Sequence, residues 1–407
     1  MSSPYLTTQI PGTGGLIKET PEDFLVEEIP LYAPCGEGEH LYLQVEKQGL
    51  TTFAMMERLA RALGVKERDM GYAGLKDARA TTRQTVSIPG VLPEQIQGLN
   101  LEGVRILSAT LHGNKLRPGH LAGNRFAIRV RQVEGDALEA ARATLGALQE
   151  FGVPNLFGQQ RYGSLGNSHL VGRALLRKEY EAAAGQVLGD PARISNARWR
   201  QGAERFAAGD LEGALAALPP RMRNERALIR DLLAGRPAGK AVLGLPRKLL
   251  RLYLSAYQSS LFDRLVAMRL ATLGTLWPGD LAYKHGNGAC FTVEEPAAEQ
   301  PRADRLEISP SAPLFGYKVT LAGGQAGILE EALLEKESLR TEDFRLERGL
   351  SMEGERRPLR VPLTGAEVRQ EGDDLLLGFG LPRGSYATSV LREIMKPPEN
   401  DTLHGDH

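Results

Sequence analysis

Strand-like alternation appears at both ends of this 407-residue chain, and the strands of the far end have too few local partners to form a sheet alone. In "GNRFAIRVRQV" (123–133) Phe126, Ile128 and Val130 fall on one side, while Arg125, Arg129 and Arg131 fall on the other. That is the period-two pattern of a half-buried strand. "EDFLVEE" (22–28) and "HLYLQVEK" (40–47) alternate likewise, with Leu41, Leu43 and Val45 sharing a face. Near the C-terminus, "RPLRVPL" and "DDLLLGFGLP" read as a strand pair that needs a sheet to join, and the N-terminal segment offers one. The pattern predicts an α+β domain built from both ends of the chain, with a helix-rich insertion between them. The expected division is 1–153 with 356–396 for that domain and 154–355 for the insertion, leaving 397–407 as a polar, mobile tail.

Helical spacing of Phe53, Met56, Leu59, Ala60 and Leu63 predicts a helix with Thr52 as N-cap and Gly64 just past its end. A second amphipathic helix is expected over 137–151, and 168–275 reads as mostly helical, broken at Gly189, Pro191, Pro219 and Pro246. After Trp277 the composition shifts to Gly, Pro and acids up to Tyr317.

A hydrophobic content of 42% can fill a core of this size. No apolar run approaches the roughly 18 residues of a membrane span, and "MSSPYLTTQIPGTGG" lacks the basic start and apolar stretch of a signal peptide. The cytoplasm is the expected compartment. Cys35 and Cys290 are too few for a disulfide framework, and His112 and His120 lack companions for a metal site. Fifty basic and fifty acidic residues cancel, but stretch 105–131 holds six cations and 155–178 holds Arg161, Arg173, Arg177 and Lys178, both without an acid. Such segregation predicts a cationic face suited to phosphate.

In "GYAGLKDARATTRQ" (71–84) a single acid, Asp77, stands among Lys76, Arg79 and Arg83 on a strand-to-strand connection. As a turn residue it would bond nearby backbone amides. As a functional group, it would be held ionised by those cations and serve as nucleophile or base. Glu27 or Glu28 could join it as the second carboxylate of a glycosidase. Aromatic residues make up only 6% of the chain, yet Phe24, Phe126, Phe157, Tyr162 and Tyr386 stand close to amides and Arg residues. A pocket for an extruded base uses that combination.

Five stretches, taken together and in order, resemble the TruD family of tRNA pseudouridine synthases: "KETPEDFLVEE", "AGLKDARATTRQ", "GHLAGNRFAIRVR", "NLFGQQRYG" and "LPRGSYATSVLREIM". The resemblance implies a pseudouridine synthase core, a mixed and mainly antiparallel sheet with flanking helices, carrying an inserted TRUD domain. It implies that a uridine of tRNA, typically at position 13, is isomerised to pseudouridine without a cofactor. Asp77 matches the catalytic aspartate of the family's A-G-x-K-D motif, and Lys76 its lysine. Phe24, Lys76, Asn124, Phe126 and Tyr386 are the substrate-binding residues the resemblance implies, with Tyr386 and Tyr162 standing where bacterial relatives commonly have Phe. Arg79, Arg125, Arg129 and Arg161 are the expected contacts to the RNA backbone. tRNA is then the partner, the chain acts as a monomer without an obligatory protein partner, and the competing reading is a catalytically inactive tRNA-binding or folding module.

Overall fold

The computed structural model describes residues 5–397, and its first part alternates short strands with two amphipathic helices. The strands are β1 (Phe24–Pro30), β2 (His40–Lys47), β3 (Gly71–Tyr72), β4 (Thr81–Pro89), β5 (Val104–His112) and β6 (Leu121–Val130). Helix α1 (Thr52–Leu63) connects β2 to β3, and α2 (Ala137–Phe151) follows β6. Next come α3 (Ser168–Leu176), α4 (Tyr180–Leu188), α5 (Ala197–Ala207), α6 (Leu211–Ala217), α7 (Arg223–Leu233), α8 (Ala238–Leu243) and the long α9 (Arg247–Met268). Strands β7 (Leu281–Lys284), β8 (Cys290–Thr292), β9 (Ile308–Leu314) and β10 (Glu355–Pro358) follow, with α10 (Pro296–Asp304) and α11 (Gly324–Lys336) among them. The chain closes with β11 (Thr364–Glu371), β12 (Asp374–Pro382) and α12 (Ala387–Met395).

Two compact units result, Pro154–Arg360 and the flanking segments together. The flanking unit is a sheet in the order β11-β12-β6-β1-β4-β2-β5, with β3 on β4. All pairings are antiparallel except β1 with β4. This is the α+β architecture the alternation predicts. Two details differ. The partner of β12 is Thr364–Glu371 rather than "RPLRVPL", because "TGAEVRQE" is mostly polar on both faces of an edge strand and carries little apolar period. Strand β10 belongs to the inner unit, where it pairs with β9, so the return to the outer unit comes at Val361 rather than 356. From residue 398 on, the expected tail lies outside the described residues.

One face of the large sheet is covered in two halves. Phe24, Val26, Phe126, Ile128, Leu377 and Phe379 pack under α2 and α12, while Leu41, Leu43, Val45, Val86 and Ile88 pack under α1. Full burial of each such side chain contributes about 1.5–3 kcal/mol. Along the seam between these clusters the same face carries polar residues on four strands: Glu28, Lys47, Thr82, Gln84 and Asn124. Polar groups at the junction of two dry cores require a reason, and the candidate site supplies it.

Helix α1 starts one residue earlier than its spacing suggests. Thr51 is the N-cap and accepts from the Ala54 amide at 3.1 Å, which frees Thr52 for another task. In the inner unit α3 lies against α9 so closely that a β-carbon on Gly172 would run into the Tyr253 carbonyl and the Tyr257 side chain. Gly172→Ala is therefore expected to cost about 1–3 kcal/mol and lower the thermal unfolding midpoint; an unchanged midpoint would mean the two helices separate freely.

Candidate active site

The loop between β3 and β4 carries Asp77 and is anchored at its base by buried groups. The Lys76 amide donates to the Thr52 hydroxyl at 3.0 Å, and that hydroxyl donates to Gln84 Oε1 at 3.2 Å. Lys76 Nζ donates to Glu28 Oε1 at 2.6 Å, both side chains being buried, and Glu28 Oε2 accepts from the Thr85 amide at 3.1 Å. Lys47 Nζ reaches from the end of β2 to the carbonyl oxygens of Leu50, at 2.6 Å, and of Asp77, at 2.8 Å. Unlike most surface loops, this one has its backbone tied to a sheet and a helix.

The Asp77 carboxylate then turns to a cation from a distant part of the chain. Lys18 Nζ lies 2.7 Å from Oδ2, while Oδ1 accepts from the Arg79 amide at 3.0 Å. Side-chain exposures of 11% for Lys18 and 29% for Asp77 leave the acid the more accessible partner. Lys18 has φ 62°, a left-handed conformation that costs a lysine about 1–2 kcal/mol. Strain of this kind persists where the surroundings over-determine it, often at functional sites. The same ammonium sits 4.6 Å from the Phe24 ring centroid, Phe24 meets Phe126 edge-on at 6.3 Å, and Phe126 meets Phe379 at 5.4 Å. Asn124 is next on the same face of β6, two residues from Phe126 and opposite Glu28 and Leu381. Its Oδ1 is buried without a partner among the described residues, as are Thr82 Oγ1 and Gln84 Nε2. Thr82 and Gln84 are fully buried, whereas Asn124 is half-buried.

The P-E-D-F stretch that holds Phe24 is fixed by Asp23, whose carboxylate accepts from Arg131 Nη2 at 2.7 Å, from Arg131 Nε at 2.9 Å and from the Thr20 amide at 2.9 Å. Burial works to raise this carboxyl, but the Arg131 and Thr20 bonds outweigh it and hold it below the usual range. A depressed carboxylate stabilises the fold at pH above its unfolded value of roughly 3.9 and loses that contribution as pH falls through the folded value. Asp23→Asn is thus expected to weaken the fold at neutral pH and flatten the acid limb of its stability curve; an acid limb identical to the parent's would remove Asp23 from the linkage.

The structure corrects the expected source of the countercharge. The cations near Asp77 in sequence are engaged elsewhere: Lys76 with Glu28, and Arg83 with Glu46 and Glu27. Arg79 gives the carboxylate its backbone amide, and its side chain is exposed. Neither Glu27 nor Glu28 stands as an unpaired second carboxylate. The reverse of β6 carries acids as well as the expected cations. Arg129 bonds Asp374 at 2.9 Å and Glu371 at 3.0 Å, because β11 and β12 bring acids beside a stretch that has none of its own. Arg125 is exposed on this reverse face, opposite Phe126. Tyr386 is half-buried at the N-cap of α12, five residues beyond the β12 position that pairs with Asn124. In the inner unit Arg161 bonds the hydroxyls of Ser259, at 3.0 Å, and Ser255.

Comparison with known proteins bears on this arrangement. The model of the family described as tRNA pseudouridine synthase D (TruD) matches residues 1–394. The chain belongs to the TruD family. A TruD-family relative from Syntrophotalea carbinolica, named tRNA pseudouridine synthase D, is 62% identical over 96% of this chain and 98% of its own. One of the same name from Geobacter sulfurreducens is 56% identical over 98% of each chain. The crystal structure of the candidate tRNA pseudouridine synthase D (TruD) of Methanosarcina mazei superposes with a TM-score of 0.83 at 29% identity, covering 97% of this chain and 96% of that one. Sequence reasoning did not single out Lys18, Lys47, Thr82 or Gln84 in this TruD-family site. Lys18 stands at the head of "KETPEDFLVEE", so its signal was the motif rather than its distance from Asp77. No described helix is long and apolar enough to cross a membrane.

Proposed function

We propose that this chain isomerises a uridine of tRNA, at position 13, to pseudouridine, with Asp77 as the essential group. The observation that carries the reading is the Asp77 carboxylate, paired with Lys18 beside a Phe24–Phe126 wall that continues to Asn124, whose Oδ1 has no partner among the described residues. The reaction breaks the C1'–N1 bond and forms a C1'–C5 bond. C5 gives up its proton and N1 gains one, so atoms balance without a cofactor. Asp77 acts as nucleophile or base on the extruded nucleotide. The Asn124 acceptor suits the N3–H of uracil, a donor that cytosine lacks, and leaving that acceptor unmet discriminates against the wrong base. Extruding the base costs a few kcal/mol, which stacking on an aromatic ring, worth about 1–3 kcal/mol per base, offsets. Phe24, Phe126 and Tyr386 provide such rings, and Lys76 holds the loop through Glu28.

In this reading the flanking segments form the catalytic domain and the inserted TRUD domain helps hold tRNA. The exposed Arg79, next to Asp77, meets a phosphate, and Arg161 serves the inserted domain in the same way. The protein acts in the cytoplasm as a monomer. Incubation with transcript tRNA tritiated at uridine C5 tests the reaction, because substitution at C5 releases the label. Release that disappears when uridine 13 is replaced by cytidine is the expected result. Persistent release would move the target to another position, and no release from any tRNA would leave a silent tRNA binder.

A further inference from the structure

Lys47 is an ammonium that the reaction as described does not use, yet it lies 1% exposed in the seam of the sheet. Burying such a charge is costly unless its hydrogen bonds are met. Here two of them are, by the carbonyls of Leu50 and Asp77, at 2.6 and 2.8 Å. The first acceptor lies in the connection from β2 to α1, just before the N-cap Thr51, and the second is the backbone of the acid itself. We propose that Lys47 is a positioning residue of this site: its charged amine ties the Asp77 backbone to the sheet and to the start of α1, and so aims the carboxylate that Lys18 holds. The inference rests on Asp77 being the essential group.

The groups around Lys47 agree with this role. From the loop, Asp77 attracts the ammonium and Lys76 repels it, with Lys76 neutralised by Glu28. The neighbouring positions on β4 and β5 are Thr82 and Val104, and α1 presents Thr52, none of them charged. Lys18 acts from beyond the carboxylate. Burial pushes the Lys47 amine down to about 8, with Lys76 adding to the fall and Asp77 opposing it. An ammonium gives charge-assisted bonds roughly twice as strong as those of a neutral donor, so losing the proton slackens the tie.

The test measures single-turnover tritium release from C5-labelled transcript tRNA by the full chain, Lys47→Met, Lys47→Arg and Asp77→Asn, alongside tRNA binding. Lys47→Met should be slower by roughly 100-fold, the loss that about 1 Å of misplacement can cause, with tRNA affinity little changed. The parent's rate should decline as pH rises through about 8, and Lys47→Arg, which keeps its charge, should recover rate and push that decline to higher pH. A parental profile flat through that range, a decline that Lys47→Arg leaves in place, or a Lys47→Met rate near the parent's would each overturn the inference. Should either variant fail to fold, the parental profile decides. Asp77→Asn separates the two claims: parental release there defeats the reading of Asp77, whereas its loss beside a fully active Lys47→Met defeats only the role of Lys47.

Discussion

Asp77→Asn is expected to lower the single-turnover rate of pseudouridine formation by at least about 10³-fold, within the range an acid–base or nucleophilic group contributes, while tRNA affinity stays close to the parent's. The amide matches the carboxylate in shape. Its oxygen can still accept from the Arg79 amide, and the loop remains tied through Lys76 to Thr52 and through the Asp77 carbonyl to Lys47. The substitution removes the negative charge and leaves the scaffold. Isomerisation by the variant at the parental rate would show that the acid serves the loop and not the chemistry. Lost binding together with lost rate would give it a structural part as well.

The second large effect is expected at Lys18. Lys18→Met keeps an unbranched side chain near the Phe24 ring but withdraws the cation 2.7 Å from Asp77 Oδ2. With that partner gone, the carboxylate loses the ion pair that helps hold it in place, and the rate should fall by roughly 100-fold. The change should appear mainly in kcat, since the tRNA backbone has other cations to meet. A rate within about threefold of the parent's would reduce the pair to the ordinary surface kind, worth at most about 1 kcal/mol.

What could be read from the sequence was local. The loop with Asp77, the alternation of β6 and the spacing of α1 each lie within a dozen or so residues, where period and turn chemistry operate. The pairings that make the site work are distant. Lys18 and Asp77 are 59 positions apart, and the acids that neutralise Arg129 come from 242 and 245 positions away. No count of charges along 105–131 could have revealed them. The small sheet of the inner unit was hidden for another reason. Its strand β9 reads "ISPSAPL", with Pro310 and Pro313 where a paired strand ordinarily avoids them, yet it is buried over nearly its whole length. Pro310 keeps a carbonyl, and that oxygen accepts from the Leu359 amide at 2.9 Å. Two prolines within seven residues therefore mask the strand in the sequence.

Because β6 lies between β1 and β12, the strand that carries Asn124 and Phe126 borders a segment made some 250 residues later. At the usual pace of roughly 5–20 residues per second, a ribosome needs on the order of 10 to 40 s to make the intervening Pro154–Arg360. During that interval the growing polypeptide already carries Asp77, but the strand that pairs with Asn124 and Phe126 has not been synthesised. Under the proposed function, a nascent product that lacks β12 is inert toward tRNA, and competence arrives only once β12 has been made and has paired with β6.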